Sequence, residues 1–212
     1  VEQVRRAKAD GVPVTCETCP HYFSLTDEDV KSYDTSLRVN PPLRGRSDLE
    51  AVVAGIADGT IDAIASDHAP HSMEEKQVEF DAAPPGMIGL ETLLPLTLTK
   101  LVDTGVIDLA RAIELLSTRP ASILGIEGGT LAPGATADVV VIDDHWTWKV
   151  STGWFRSRSK NSPFIGATLL GRVVLTLSRG EIVFEEERHS GGSDVPPRSE
   201  AAAERTGVPV RS

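Results

Sequence analysis

Ala63-Ile-Ala-Ser-Asp-His-Ala-Pro-His71 is the stretch on which the reading of this chain turns. The run from Ile61 to Ala65 predicts a short buried strand. At its end Asp67, His68 and His71 gather around Pro70. In a parallel α/β barrel the chemistry sits at the C-terminal ends of the strands. A carboxylate placed there, with imidazoles just beyond, can hold a divalent metal or take a proton from a water the metal activates. The same pattern also fits a strand running into a turn in which Asp67 caps local backbone donors. The stretch alone leaves both readings open.

Working outward, Val1, Val4 and Ala7 form a helical face that Gly11 terminates, so the chain is expected to open inside a helix. Val14 to Cys19 predicts a strand. Ser47-Asp-Leu-Glu50 fits a capping box, with Leu49, Val52, Val53 and Ile56 as its buried stripe and Gly59 as its stop. Residues 72–84 are acidic with little periodicity, and are expected as a solvated loop of the kind that covers active sites. Gly86 and Gly89 bracket a turn where the backbone can approach a ligand. The stripe Leu90, Leu93, Leu94, Leu98 and Leu101 predicts a helix that Pro95 kinks or interrupts. Asp108 is a plausible cap for another helix running through Leu116.

After Gly128-Gly129 the pattern changes. Val139 to Ile142 is β-branched and apolar, and Arg172 to Phe184 alternates as two strands around Ser178-Arg179-Gly180. Asp138, before the first of these, is expected to serve a turn. From Arg188 onward Gly, Ser, Pro, Glu and Arg dominate, which predicts a disordered tail over 188–212.

The chain has 212 residues, a formal charge of −10, 40% hydrophobic and 25% charged residues, a composition of ordinary globular type. Without a basic stripe, that charge excludes a nucleic-acid-binding face. No apolar run reaches the length of a membrane span. Cys16 and Cys19 suggest a metal or redox pair. On a strand, however, residues three apart face opposite sides, so the two are badly placed to share one metal.

Four motifs in order then carry a resemblance: Thr15-Cys-Glu-Thr-Cys-Pro-His21, Arg38-Val-Asn-Pro-Pro-Leu-Arg44, the Ser-Asp-His-Ala-Pro-His stretch ending at His71, and Pro85-Gly-Met-Ile-Gly-Leu-Glu91. With Asn161-Ser-Pro-Phe-Ile-Gly166, this series resembles the C-terminal half of bacterial dihydroorotases of the amidohydrolase superfamily, over residues 1–187. The resemblance implies an α/β fold: the C-terminal part of a (β/α)8 barrel over 1–127, and the C-terminal share of a small β-sandwich domain over 128–187. A complete barrel takes about 250 residues. The superfamily's His-x-His pair is absent from the five histidines His21, His68, His71, His145 and His189. Residues 1–212 are therefore expected to be a piece that turns over nothing alone, with the remaining zinc ligands upstream of Val1.

The activity implied is the reversible cyclisation of N-carbamoyl-L-aspartate to L-dihydroorotate and water in pyrimidine biosynthesis, with one or two zinc ions. Asp67 matches the last metal ligand, which is also the acid/base. Asn40 matches a substrate hydrogen-bonding residue and His71 one that contacts the substrate carboxylate. Pro85 and Gly86 match a turn whose backbone faces the ring. His68 is placed beside the ligands, and His21 is a candidate with no role carried over. The resemblance also implies a cytoplasmic protein acting on a small molecule, as a homodimer or with aspartate transcarbamoylase. Two alternatives stay open. One is an allantoinase- or hydantoinase-type hydrolase of cyclic amides. The other is a non-catalytic dihydroorotase-like partner of aspartate transcarbamoylase.

Overall fold

The computed structural model describes residues 1–186; the predicted tail lies outside the described residues. The chain runs through α1 (Glu2–Ala9), β1 (Glu17–Thr18), α2 (Arg46–Ala57), β2 (Ala63–Ile64), α3 (Met73–Lys76), α4 (Leu90–Thr97), α5 (Leu109–Ile113), α6 (Arg119–Leu124), β3 (Val139–Lys149), β4 (Thr168–Ser178) and β5 (Glu181–Glu185).

β1 and β2 pair in parallel, with Glu17 opposite Ala63 and Thr18 opposite Ile64. Both strands are shorter than the sequence predicts, although backbone bonds extend the pairing from Asp62 N to Cys16 O and from Ala65 N to Thr18 O. The connection between them carries α2, as parallel strands require a long crossover. The stripe read from the sequence does turn inward: Ile56 is fully buried and joins Phe23, Ile61, Ile64, Leu101 and Leu115 in one apolar cluster.

The capping box falls elsewhere. α2 starts after Gly45 with no side-chain cap, so Ser47 is already inside the first turn and is not the N-cap. Ser72 and Glu75 instead make a reciprocal capping box on α3, inside the stretch expected to be a solvated loop. Three features pin that stretch: the box, the buried Lys76, and the donation by Lys76 Nζ to Thr35 O and Pro84 O.

Pro95 does not end its helix. α4 continues through it into a π-helical turn, Leu98–Val102. Proline deprives the carbonyl four residues earlier of its donor, and a widened turn just after such a site is one way a helix carries on. Asp108 caps α5 as predicted, its side chain accepting from Arg111 N at 2.7 Å.

β3, β4 and β5 form an antiparallel sheet in that order. The tight turn at Arg179 and Gly180, both at positive φ, closes the β4–β5 hairpin, and Asp138 accepts from Arg179 N at 2.7 Å. The sheet leans on the helical part through a shared cluster of Trp148, Val150 and Leu169 with Met87, Ile88 and Leu96. Hydrophobic burial of this kind, at about 25 cal/mol per Å², holds the segment after β3 against the loops that follow β2.

Candidate functional site

His21 and Asp67 both lie three residues beyond the paired positions Thr18 and Ile64. A parallel register carries the two chain exits forward side by side, and this is why they meet. His21 Nε2 stands 3.7 Å from Asp67 Oδ2. His21 is 2% exposed, and its Nε2 is buried with no hydrogen-bond partner. A polar atom orphaned in this way costs about 1–3 kcal/mol, so its position calls for a ligand.

Burial drives the His21 imidazole down from an ordinary 6.5 to about 4, the Asp67 charge opposing this only in part. Near neutrality the ring is therefore neutral, the form that binds metal. Asp67 sits at φ 47, left-handed backbone that Asp tolerates better than most residues. Among the described residues its carboxylate accepts no backbone hydrogen bond, so it does not cap the turn and is left free toward the cavity.

Cys19 completes the group. The ligand atoms of Cys19, His21 and Asp67 lie within 4.8 Å of one another, a donor set that can hold a metal ion. Burial, followed by the charges of Asp67 and Glu17, pushes the Cys19 thiol up to about 12, so it stands beside the other two as a neutral thiol. Cys16 points elsewhere, its Sγ meeting Thr60 O at 3.3 Å. The two cysteines do face apart, as a strand dictates.

Thr18, Cys19, Tyr22, Asn40 and Asp67 line one cavity of about 380 Å³. Tyr22 donates to Pro41 O at 2.7 Å and fixes the segment bearing exposed Asn40. His71 opens onto a second space of about 620 Å³ with Thr35, Lys76, Arg158 and Asn161. Asp67 and Asn40 are thus brought together, while His71 belongs with the Pro85–Gly86 turn: its Nε2 is 3.1 Å from Pro85 O.

The backbone of that turn is already engaged. Gly86 N donates to Arg38 O at 2.7 Å, proline has no N–H, and Gly86 O accepts from Asn161 Nδ2 at 3.1 Å. The turn therefore offers a ligand carbonyl lone pairs rather than N–H donors. Gly86 has φ +136, and a Cβ there would lie 2.5 Å from Ala69 Cβ, so only glycine lets the two segments close.

His68 faces the helix. Its Nδ1 accepts from Gly89 N at 3.1 Å and from Leu90 N at 3.4 Å, capping the first amides of α4. Gly89 is required there by proximity, since a Cβ would fall 2.3 Å from Ser66 O. Glu91, in the first turn of α4, accepts from Ser157 N and Oγ at 2.6 and 3.0 Å.

His21 is the residue that sequence reasoning left without a role. The signal was present: Cys-Pro-His21 leaves its strand as Ser-Asp67-His leaves the next, at the same distance past each strand end.

The amidohydrolase family profile matches residues 1–183. A dihydroorotase of Geobacter sp. (strain M21) is 56% identical over 182 residues, covering 86% of this chain and 43% of that protein. One from Citrifermentans bemidjiense is 54% identical over the same length and coverage. Among solved structures, an L-hydantoinase (dihydropyrimidinase) from Arthrobacter aurescens superposes with TM-score 0.81 at 35% identity, over 87% of this chain and 42% of that one. The chain spans less than half the length of the relatives it matches, and its fold is α/β, part of a TIM-type barrel with the antiparallel β3–β4–β5 sheet. With a metal-capable cluster at the ends of two parallel strands and a profile match over most of its length, the chain belongs to the amidohydrolase family.

Proposed function

We propose that the full-length protein is a zinc-dependent dihydroorotase, interconverting N-carbamoyl-L-aspartate and L-dihydroorotate. The observation that carries this is the unpartnered, buried His21 Nε2 facing the free carboxylate of Asp67, in a chain 56% identical to a dihydroorotase. The lower identity to the hydantoinase, 35%, ranks that alternative second. A ring nitrogen and a carboxylate oxygen fit zinc, which takes N, S and O donors. Bound there, zinc would polarise the scissile carbonyl and lower the pKa of the attacking water.

His21 holds its lone pair available because it is neutral. Asp67 takes the proton from the attacking water as the carbon–oxygen bond forms. It then delivers that proton to the ring nitrogen as the carbon–nitrogen bond breaks, which opens the ring and leaves a new carboxylate at one end and the nitrogen as the carbamoyl NH2 at the other. Its lack of backbone partners leaves an oxygen free for this transfer. Asn40, in the same cavity, hydrogen-bonds the substrate. His71 contacts its carboxylate end. The Pro85 and Gly86 carbonyls accept from ring N–H groups. Residues 1–127 supply the acid/base, and residues 128–187 are read as the small β-domain. A cytoplasmic location, and assembly as a homodimer or with aspartate transcarbamoylase, accompany this reading on the strength of the resemblance. Among the described residues no helix is long and apolar enough to cross a membrane.

The test is Asp67→Asn in the full-length protein. Asn keeps an oxygen for the metal but cannot accept the proton, so kcat for dihydroorotate should fall about 10²–10⁴-fold with the fold retained by circular dichroism. A well-folded, zinc-loaded variant with ordinary kcat would refute the role.

A further inference from the structure

Asn161 lies in the segment before β4, 90 residues from His71, and is 7% exposed. Its side chain spans the two segments assigned above to substrate contact. Nδ2 donates to Ala69 O and to Gly86 O, each at 3.1 Å. Oδ1 accepts from His71 N at 3.4 Å and from the Ser159 hydroxyl. Its own backbone O accepts from Ile88 N at 3.0 Å. The single Ser159 hydroxyl proton is shared between Asn161 Oδ1 and His71 O. The amide orientation follows from its partners: two carbonyls require the nitrogen, and an N–H requires the oxygen.

The arrangement acts on one distance. Ala69 and Gly86 approach so closely that a Cβ on Gly86 would lie 2.5 Å from Ala69 Cβ and 3.1 Å from His71 Nε2. A single buried NH2 donating to both carbonyls bridges the two segments. With the bridge in place, His71 Nε2 meets Pro85 O at 3.1 Å, which holds the imidazole in one orientation.

We propose that Asn161 is a positioning residue for substrate binding: it ties the His71 loop to the Pro85–Gly86 turn, so that the small β-domain sets the geometry of the pocket. This rests on the function proposed above, which assigns His71 and Gly86 to the substrate. Asn161 acts through them and touches no reacting atom.

The experiment uses the full-length, zinc-loaded protein with Asn161→Ala and Asn161→Asp. The second variant keeps the shape and the acceptor but places an oxygen against two carbonyls. Both should raise KM for dihydroorotate by about tenfold to a hundredfold, as a displacement near 1 Å does. kcat should change less, and zinc content should not change. Ser159→Ala, a milder cut in the same network, should shift KM in the same direction by less, and it serves if the Asn161 variants do not fold. In a His71→Ala background the KM penalty of Asn161→Ala should shrink, because part of what it positions is gone. Unchanged KM with a lowered thermal midpoint, or full additivity with His71→Ala, would overturn the proposal. A substrate-independent readout separates this from the function itself. In ¹⁵N-histidine NMR the His71 ring should show a single Nε2–H tautomer in wild type and a mixture in Asn161→Ala. Absence of dihydroorotate turnover in wild type would overturn the function alone, and an unchanged His71 spectrum would overturn the clamp alone.

Discussion

Replacing His21 with Gln should remove a specific pH dependence from the stability of the metal-free protein. The buried imidazole has a folded pKa of about 4 against an ordinary 6.5. The unfolded chain therefore binds more protons than the folded one between these values, and stability rises with pH across that window. The contribution of neutral His21 is complete above pH 6.5 and is lost as pH falls toward 4. At about 1.4 kcal/mol per pH unit, the whole effect is about 3 kcal/mol. Since His21 is 2% exposed, solvent screening removes little of this. Urea unfolding of wild type and His21→Gln, both stripped of metal, at pH 7.5, 5.5 and 4 measures it. Wild type should lose about 3 kcal/mol more than the variant between the extremes. Equal losses would show that the imidazole is hydrated or already charged, and the argument for a neutral ligand would fail. Added zinc should reverse the acid sensitivity in wild type above pH 5.5 by mass action on the folded state.

Two further outcomes follow from the geometry. Asp62 is buried and accepts from Lys8 Nζ at 2.7 Å, Cys16 N at 2.9 Å and Arg119 at 3.1 Å; Asp62→Asn should cost about 3 kcal/mol in denaturant unfolding, the low end for a broken buried pair, because Arg119 is 41% exposed and can rehydrate. A loss close to zero would mean that the network is ornamental. Gly86→Ala should cost about 1–3 kcal/mol through overpacking against Ala69 and raise KM while zinc content stays normal; a normal KM would detach the turn from the substrate.

Much of the local structure was legible because it depends on neighbours in sequence. Asp108 caps α5 with a bond to an amide three residues on, and Arg179-Gly180 forms a tight hairpin because those positions take positive φ. The apolar stripe of α2 was legible for the same reason. The capping box was not: Ser47–Glu50 and Ser72–Glu75 fit one pattern, and the choice between them depended on where each chain entered its helix. The apolar pattern after Pro95 likewise did not reveal that the helix would widen instead of breaking.

For the site, the sequence alone placed Asp67 just past a strand end, since strand, turn and carboxylate are contiguous, and left its role open. It also determined that Cys16 and Cys19 face apart. Tertiary structure decided the rest. His21 became the partner of Asp67 only through the parallel register that sets Thr18 opposite Ile64. Gly86 lost its free N–H to Arg38, and His68 turned to cap α4. Asn161 reached His71 from 90 residues away. Each of these is a long-range contact, fixed by how buried apolar surfaces pack rather than by the spacing of residues along the chain.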